Sequence, residues 1–110
     1  MAQYQSDILI IGSGPAGYTA GIYASRTGKS TILVSGDEIG GQLTLSNDVE
    51  NFPGFENTIT GSHLMEIMKN QSINLGVNII NDKIVEVDFS NYPFECSSQN
   101  LYFQVPFFFC

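Results

Sequence analysis

The first hydrophobic pattern in the chain predicts a parallel α/β unit. The run Ile8–Ile11 is continuously apolar and rich in β-branched residues, as is typical of a strand buried on both faces of a sheet. A helical segment over 16–26 follows it, and then a second apolar run at 30–34. Gly28 is the expected left-handed cap of that helix. One helix face carries small residues that would let it pack closely on the sheet: Ala16, Gly17, Ala20 and Gly21.

The second half of the chain carries one longer helical pattern and then two strand patterns. Apolar residues recur at helical spacing at Leu64, Ile67, Met68 and Leu75. Ser62 is the candidate N-cap of this helix, and Gly76 is its expected end. The segments 76–80 and 83–89 are typical of strands, and the second predicts a small antiparallel hairpin that is wet on one face. The apolar face of that hairpin would consist of Val85, Val87 and Phe89.

A glycine fingerprint connects the first strand to the first helix. Gly12, Gly14 and Gly17 form the pattern G-x-G-x-x-G. The first glycine allows a tight turn, the second lets a pyrophosphate approach the backbone, and the third lets the helix pack close to the strand. Pro15 occupies the first helical turn, where its missing N–H would be unpaired anyway. Because both flanking strands are present, the fingerprint predicts a nucleotide phosphate site at the helix N-terminus.

The second strand ends without the acidic residue that common NAD and FAD folds use to bind the ribose hydroxyls. Ser35 takes that place, and Asp37 and Glu38 follow on the expected loop. A hydroxyl lacks the charge-assisted hydrogen bonding of a carboxylate. The fingerprint alone therefore predicts weaker adenosine binding than usual, or compensation from another segment.

The stretch after the second strand can supply that compensation. Gly40 and Gly41 allow backbone to approach a ligand closely, and the amide of Gln42 suits a polar ring edge or a ribityl chain. The same stretch is equally typical of a surface loop in which Phe52 and Phe55 fill the core. The residues alone leave both interpretations open.

Composition excludes several classes of function. The 110 residues carry a net charge of −7 with only four Lys and Arg, which excludes a nucleic-acid partner. No apolar run is long enough to cross a membrane and no secretory signal is recognisable, so a cytoplasmic protein is expected. Cys96 and Cys110 fit neither C-x-x-C nor a zinc spacing, and we expect both thiols to be incidental. His63 is expected to be solvated or capping, and Met65 and Met68 to be core residues, so no metal site is predicted.

Three segments in this order and spacing, "IGSGPAGYTAGIYASR", "SGDEIGGQL" and "DVENFPGF", closely resemble low-molecular-weight thioredoxin reductases. The likeness covers roughly residues 6–94. It implies an α/β fold, namely an incomplete Rossmann-like FAD-binding domain (βαβ, three layers) with a small antiparallel β-hairpin. A small hydroxyl residue followed by glycine replaces the usual acid in this family, so Ser35 and Gly36 are what the resemblance leads us to expect.

The resemblance implies FAD as the bound cofactor and places residues along it by matching position. The turn at Gly12 would lead to the pyrophosphate contacts, which are Ser13, Gly14, Pro15 and Ala16. The loop facing the adenosine and ribose would include Ser35, Gly36, Gly40 and Gly41. The flavin side would be lined by Gln42, Leu43 and Asn51, and Ile84 would lie near the adenine. No catalytic residue is expected in this segment.

The last residues depart from the family. A thioredoxin reductase continues into an Ala-Thr-Gly motif and an NADPH domain with a redox C-x-x-C, whereas this sequence reads "LYFQVPFFFC". We therefore expect a partial FAD-binding domain over 1–94 and an unmatched tail over 95–110. Two explanations of this departure remain open. The reading frame is truncated or frame-shifted, or the last residues include a tag remnant, since "QNLYFQ" differs by one residue from a common protease site.

The expected function is that of a thioredoxin reductase, present only as its N-terminal FAD-binding part. In that family electrons pass from NADPH through FAD and a dithiol to thioredoxin, and the enzymes are usually homodimers. Because the sequence holds no dithiol pair, we expect the isolated polypeptide to lack reductase activity. Its aromatic end predicts poor solubility or partial unfolding. The alternative is a stand-alone flavin- or nucleotide-binding module without redox activity.

Overall fold

Two helices, a parallel sheet and a mixed sheet form three stacked layers in the computed structural model, which describes residues 2–109. This architecture confirms the predicted α/β class. In chain order the elements are β1 (Ala2–Gln5), β2 (Ile8–Ile11), α1 (Pro15–Ser25), β3 (Thr31–Val34), a 3₁₀ turn (Gln42–Leu45), α2 (Gly61–Asn74), β4 (Asn78–Ile80), β5 (Glu86–Asp88), β6 (Phe94–Ser97), β7 (Leu101–Val105) and β8 (Phe107–Phe109).

The central layer is a parallel sheet with strand order β4-β3-β2-β8. Its two inner strands are the apolar runs that the sequence pattern predicts. Ile10 and Leu33 belong to the core cluster formed with the helices, whereas Leu9 and Ile32 belong to the cluster formed with the second sheet. Alternate residues of each strand thus fill two different cores, which explains why the runs are apolar without interruption.

The third layer is a mixed sheet with strand order β1-β7-β6-β5. The antiparallel pairing of β5 with β6 confirms the predicted hairpin. Its apolar face, however, is more exposed than predicted, since Val85 and Phe89 retain 56% and 55% of their accessible surface. β5 is a three-residue strand at the edge of the sheet, where Phe89 contacts the rings of Phe94 and Phe108 but keeps more than half of its surface exposed.

Residues 94–109, most of which fall in the stretch that the sequence leaves unmatched, form three strands that join both sheets. β7 lies between β1 and β6, and its Phe103 and Val105 are completely buried. The chain then crosses at Pro106 into β8, which pairs in parallel with β2. The ring of Phe108 stacks on Phe89 with centroids 4.7 Å apart. The Cys110 thiol lies outside the described residues.

Both helix ends predicted from glycines are found, but one predicted cap is wrong. Gly28 and Gly76 have φ of +80° and +102°, in the left-handed region that ends a helix. The N-cap of α2 is Thr60 rather than Ser62, because Thr60 has extended backbone and its hydroxyl accepts from the N–H of His63 at 3.2 Å.

The sheet-facing side of each helix is only partly as predicted. Gly17 and Gly21 are buried, but Ala16, in the first turn of α1, is exposed. In α2 the side chains of Met65 and Met68 are buried in the helix-side core, as expected for core residues. His63 is exposed.

Candidate functional site

The turn between β2 and α1 is built so that only glycine fits at two positions. Gly12 has φ of +117°, and its N–H donates to the carbonyl of Val34 at 2.9 Å, which ties the turn to the end of β3. A β-carbon at Gly17 would lie closer than 3.0 Å to the carbonyl oxygen of Gly12. The turn and the first helical turn are therefore in direct backbone contact, as the fingerprint predicts.

The N-terminus of α1 is open and has no side-chain cap. Gly14 is the N-cap residue, its position makes no side-chain cap hydrogen bond, and the first turn carries no acidic residue. A β-carbon at Gly14 would meet nothing within 4 Å. The first N–H groups of the helix and the positive end of its dipole thus face open space, which is the arrangement that binds a phosphate.

The hydroxyl of Ser13 is buried and connects this turn to the loop after β3. It donates to the carbonyl oxygen of Ser35 at 2.8 Å and accepts from the N–H of Gly40 at 3.0 Å. The carbonyl of Glu38 lies 3.5 Å away as a weaker acceptor. Burial raises the pKa of the adjacent Tyr18, and a hydrogen bond with Ser13 partly offsets that rise.

The loop after β3 is also fastened to the segment after β4. The N–H of Ser35 donates to Ile80 at 3.0 Å, and that of Gly36 donates to Asp82 at 2.7 Å. Lys83 and Asp37 form an exposed ion pair at 2.9 Å, and the hydrogen bond to the Asp37 carboxylate raises the pKa of Lys83. Asp82 and Lys83 carry no local sequence signal for this site, because they reach the loop only through the pairing of β3 with β4.

The two glycines at the end of this loop bring its backbone close to the glycine turn between β2 and α1. Gly40 and Gly41 have φ of +86° and +68°. A β-carbon at Gly41 would lie 3.2 Å from the Cα of Gly14, and one at Gly40 would lie 2.5 Å from the Cγ2 of Thr44. The Thr44 hydroxyl donates to the carbonyl of Gly41 at 2.7 Å, which holds the start of the 3₁₀ turn. Gly40 and Gly41 are thus required both by conformation and by close approach.

The 3₁₀ turn rests on the N-terminus of α2. A β-carbon at Gly61 would lie closer than 3.0 Å to the carbonyl oxygen of Leu43, and the Gly61 N–H donates to Ser46 at 2.7 Å. Gln42 is exposed on this turn, whereas Leu43 is half-buried against the helix-side core.

The loop 50–56 lines an open depression of about 630 Å³, and an isolated antiparallel bridge pairs Val49 with Ile59 on either side of this loop in the chain. Phe52 and Phe55 are half-buried against the helix-side core, with ring centroids 6.1 Å apart, so the core-filling interpretation applies to these two rings. Asn51 is exposed in the concavity.

Most sequence-predicted residues meet at the carboxyl ends of the parallel strands, where open α/β sheets bind ligands. The fold brings Gly12 through Ala16 beside the loop 35–41. Ile84 is half-buried in the core between the two sheets, next to Lys83, whose ion pair reaches that loop. Within residues 2–109 no cluster of side chains could hold a metal ion, and neither helix is long and apolar enough to cross a membrane.

Known proteins are similar to this chain in fold and in sequence. A thioredoxin reductase of Rickettsia bellii is 50% identical over 91 residues, which are 83% of this chain and 29% of that protein. The structure of a thioredoxin reductase from Giardia duodenalis superposes with a TM-score of 0.90 and 37% identity, over 96% of this chain and 35% of that one. A ferredoxin-flavin thioredoxin reductase from Clostridium acetobutylicum superposes with a TM-score of 0.82 and 30% identity, over 96% of this chain and 37% of that one.

These matches confirm the resemblance read from the sequence, and they concern about a third of each relative. The sequence signature of the family described as "Pyridine nucleotide-disulphide oxidoreductase" extends over residues 6–102. It includes the glycine turn after β2, the loop after β3, both helices, and β5, β6 and the start of β7 in the mixed sheet. The chain therefore belongs to the pyridine nucleotide-disulphide oxidoreductase family.

Proposed function

We propose that this chain is the N-terminal FAD-binding part of a thioredoxin reductase. Membership of the family implies flavin dependence, and the relatives named thioredoxin reductase favour this function over a stand-alone nucleotide-binding module. The observation that carries the proposal is the uncapped N-terminus of α1, which opens beside the backbone of Gly41.

The residues fit the adenosine diphosphate portion of FAD. The pyrophosphate would be held by the backbone N–H groups of Ser13, Gly14 and Ala16, with Pro15 in contact but donating nothing, because that helix end offers donors and open space at Gly14. The uncharged residues Ser35 and Gly36 would face the ribose, while the carboxylate of Asp37 on the same loop is paired with Lys83. Ile84 would supply apolar contact to the adenine from the rim of the intersheet core.

The flavin portion would lie beyond Gly40 and Gly41, along the 3₁₀ turn. Gln42 is exposed and offers both donors and an acceptor, which suits a polar ring edge or the ribityl chain. Leu43 and Asn51 would border the same side. When bound, the flavin supplies the capacity to accept a hydride and pass on electrons. The part of this chain is to bind it, orient it and exclude water from one side.

The remaining steps of the proposed activity need groups outside these residues. The 110 residues contain no C-x-x-C pair, so the dithiol that passes electrons to thioredoxin would come from elsewhere, as would the NADPH site. We further propose that the whole enzyme works in the cytoplasm as a homodimer and uses thioredoxin as its acceptor. No catalytic residue is assigned to the present chain.

The visible absorption spectrum of the purified chain, recorded before and after addition of FAD and desalting, tests cofactor binding. The wild-type chain is expected to retain a flavin band. Gly14→Ala should fold normally, since its β-carbon meets no protein atom, but should lose the band because that β-carbon stands where the pyrophosphate approaches. Thr19→Ala, an exposed change on the same helix, is the control. A wild-type chain that never retains flavin, or a Gly14→Ala chain that retains it fully, contradicts the proposal.

A further inference from the structure

We propose that the hydroxyl of Ser13 is a positioning group that holds the loop 35–41 in the shape that receives the adenosine half of the ligand. The inference rests on the proposed function and goes beyond it, since it assigns a role to this side chain rather than to its backbone. Ser13 would then set affinity for adenine nucleotides without its hydroxyl touching them.

The Ser13 hydroxyl makes its hydrogen bonds within the protein, to backbone in the loop after β3 and to the side chain of Tyr18. The residue is 2% exposed, and its hydroxyl donates to Ser35 at 2.8 Å while accepting from the N–H of Gly40 at 3.0 Å. A hydroxyl has one donor and two acceptor sites, and the strong donor site is already occupied. The side chain is therefore directed into the protein, and only the backbone of this residue faces the open end of α1.

The loop that Ser13 holds has little stiffness of its own. Gly36, Gly40 and Gly41 all have positive φ, and glycine loses more conformational freedom on ordering than any other residue. One end of the loop is fixed by the bond from Gly36 to Asp82, and the other by the bond from Thr44 to Gly41. Within the loop, the Gly41 N–H donates to Glu38 at 2.8 Å and Asp37 pairs with Lys83 on the surface. The hydroxyl of Ser13 adds bonds to Ser35 and to Gly40, so one buried group connects both arms of the loop to the turn before α1.

Loss of that hydroxyl should weaken ligand binding more than it weakens the fold. The ends of the loop stay fastened, so the chain still folds, but a ligand must then order the middle of the loop as it binds. If the ligand must restore the order of one of the two lost hydrogen bonds, a bond of ordinary net strength corresponds to about a tenfold weaker Kd. The loop contacts only the adenosine half of the ligand in this proposal. The binding of FAD and the binding of ADP should therefore weaken by the same factor.

Isothermal titration calorimetry of the wild-type and Ser13→Ala chains with FAD and with ADP tests the inference. Ser98→Ala is the matched control. Ser98 is 3% exposed, and its hydroxyl accepts from two backbone N–H groups, those of Asn100 and Leu101 at 3.3 and 2.9 Å, in the second sheet. We expect about tenfold weaker binding of both ligands for Ser13→Ala and wild-type binding for Ser98→Ala. Equal affinity of Ser13→Ala and wild type, or equal weakening in Ser98→Ala, overturns the proposal.

A ligand-free measurement separates this inference from the proposed function. The amide of Gly40 should exchange with deuterium about tenfold faster in Ser13→Ala than in wild type, because its acceptor is removed. The amide of Val49, which bonds to Ile59 at 2.8 Å, should exchange at the wild-type rate. Unchanged exchange at Gly40 overturns the positioning role whatever the chain binds. Faster exchange at Gly40 in a chain that binds neither FAD nor ADP overturns the proposed function and the effect on affinity.

Discussion

A β-carbon at Gly17 would stand inside van der Waals distance of the carbonyl oxygen of Gly12. Gly17 lies in the first turns of α1 and Gly12 at the end of β2, so this contact determines how closely the helix approaches the sheet. The opposing atom belongs to backbone, which cannot turn aside as the end of a flexible side chain can. The third glycine of the G-x-G-x-x-G pattern is therefore required here for a steric reason.

Gly17→Ala should destabilise the chain by about 2 kcal/mol, because the helix or the turn must shift to admit the methyl group. Urea unfolding followed by far-UV circular dichroism measures the change. Thr19→Ala, exposed on the same helix, should stay within about 0.5 kcal/mol of wild type. If the Gly17→Ala chain is as stable as the Thr19→Ala chain, the backbone of the turn can shift to admit the methyl group at little cost in free energy, which contradicts the prediction.

Thr60→Ala should lower the free energy of unfolding by about 1 kcal/mol, since it removes the side-chain acceptor for the His63 N–H at the start of α2. Ser62→Ala, at the position that the sequence pattern indicates as the cap, should have little effect. Chemical denaturation of the two variants side by side measures the difference. A larger loss for Ser62→Ala would return the cap to the position predicted from sequence.

The pKa of Asp7 should respond to Ser30. The backbone N–H and the hydroxyl of Ser30 donate to the Asp7 carboxylate at 3.0 and 3.1 Å, and they lower the pKa of Asp7 below 3.8. The pKa of Asp7 is lower in the folded chain than in the unfolded chain. Ionised Asp7 therefore stabilises the fold at pH values above the unfolded-state pKa, and this contribution is lost as the pH falls through the folded-state pKa. Ser30→Ala removes the hydroxyl bond, so the pKa of Asp7 should rise towards 3.8, as carboxyl carbon NMR shifts would show.

Ser90→Ala is the control for that titration. Ser90 donates to Asp88 through both its N–H and its hydroxyl and lowers the pKa of Asp88 in the same way. Its loss should therefore move the titration of Asp88 and leave that of Asp7 unchanged. An Asp7 titration that is the same in Ser30→Ala as in wild type would show that the hydroxyl bond does not form in solution.

Phe107→Lys should reduce self-association of the isolated chain. β8 is one of the two edge strands of the parallel sheet within the described residues, the other being β4, and Phe107 is 62% exposed on it. A charged side chain on an exposed edge opposes pairing with another edge. Tyr23→Lys, at a residue 68% exposed on α1, adds the same charge away from any edge. Sedimentation velocity should show less oligomer for Phe107→Lys than for Tyr23→Lys, and equal distributions would contradict the role of the edge.

Local signals were sufficient for the first unit of the fold. The apolar run Ile8–Ile11, the glycines of the turn and the small residues of α1 each indicate a structure that forms among near neighbours, and all three were predicted. Gly28 and Gly76 were placed correctly because a left-handed cap is a demand of single-residue backbone conformation. The FAD contacts assigned from the resemblance stay predictions.

Long-range pairing decided what the sequence pattern did not show. β1 reads "AQYQ", without an apolar run, and is a strand because β7 lies beside it about a hundred residues later. The aromatic end of the chain was expected to be unmatched, yet it supplies one strand to each sheet.

The sequence by itself determined that a buried strand, a glycine turn, a helix and a second buried strand occur in this order, because glycine geometry and continuous hydrophobicity act over a few residues. Only the tertiary structure decided that Ser13 would connect that turn to Ser35 and Gly40. A hydroxyl finds its partners through space, and these partners meet only when the parallel sheet brings the ends of its strands together.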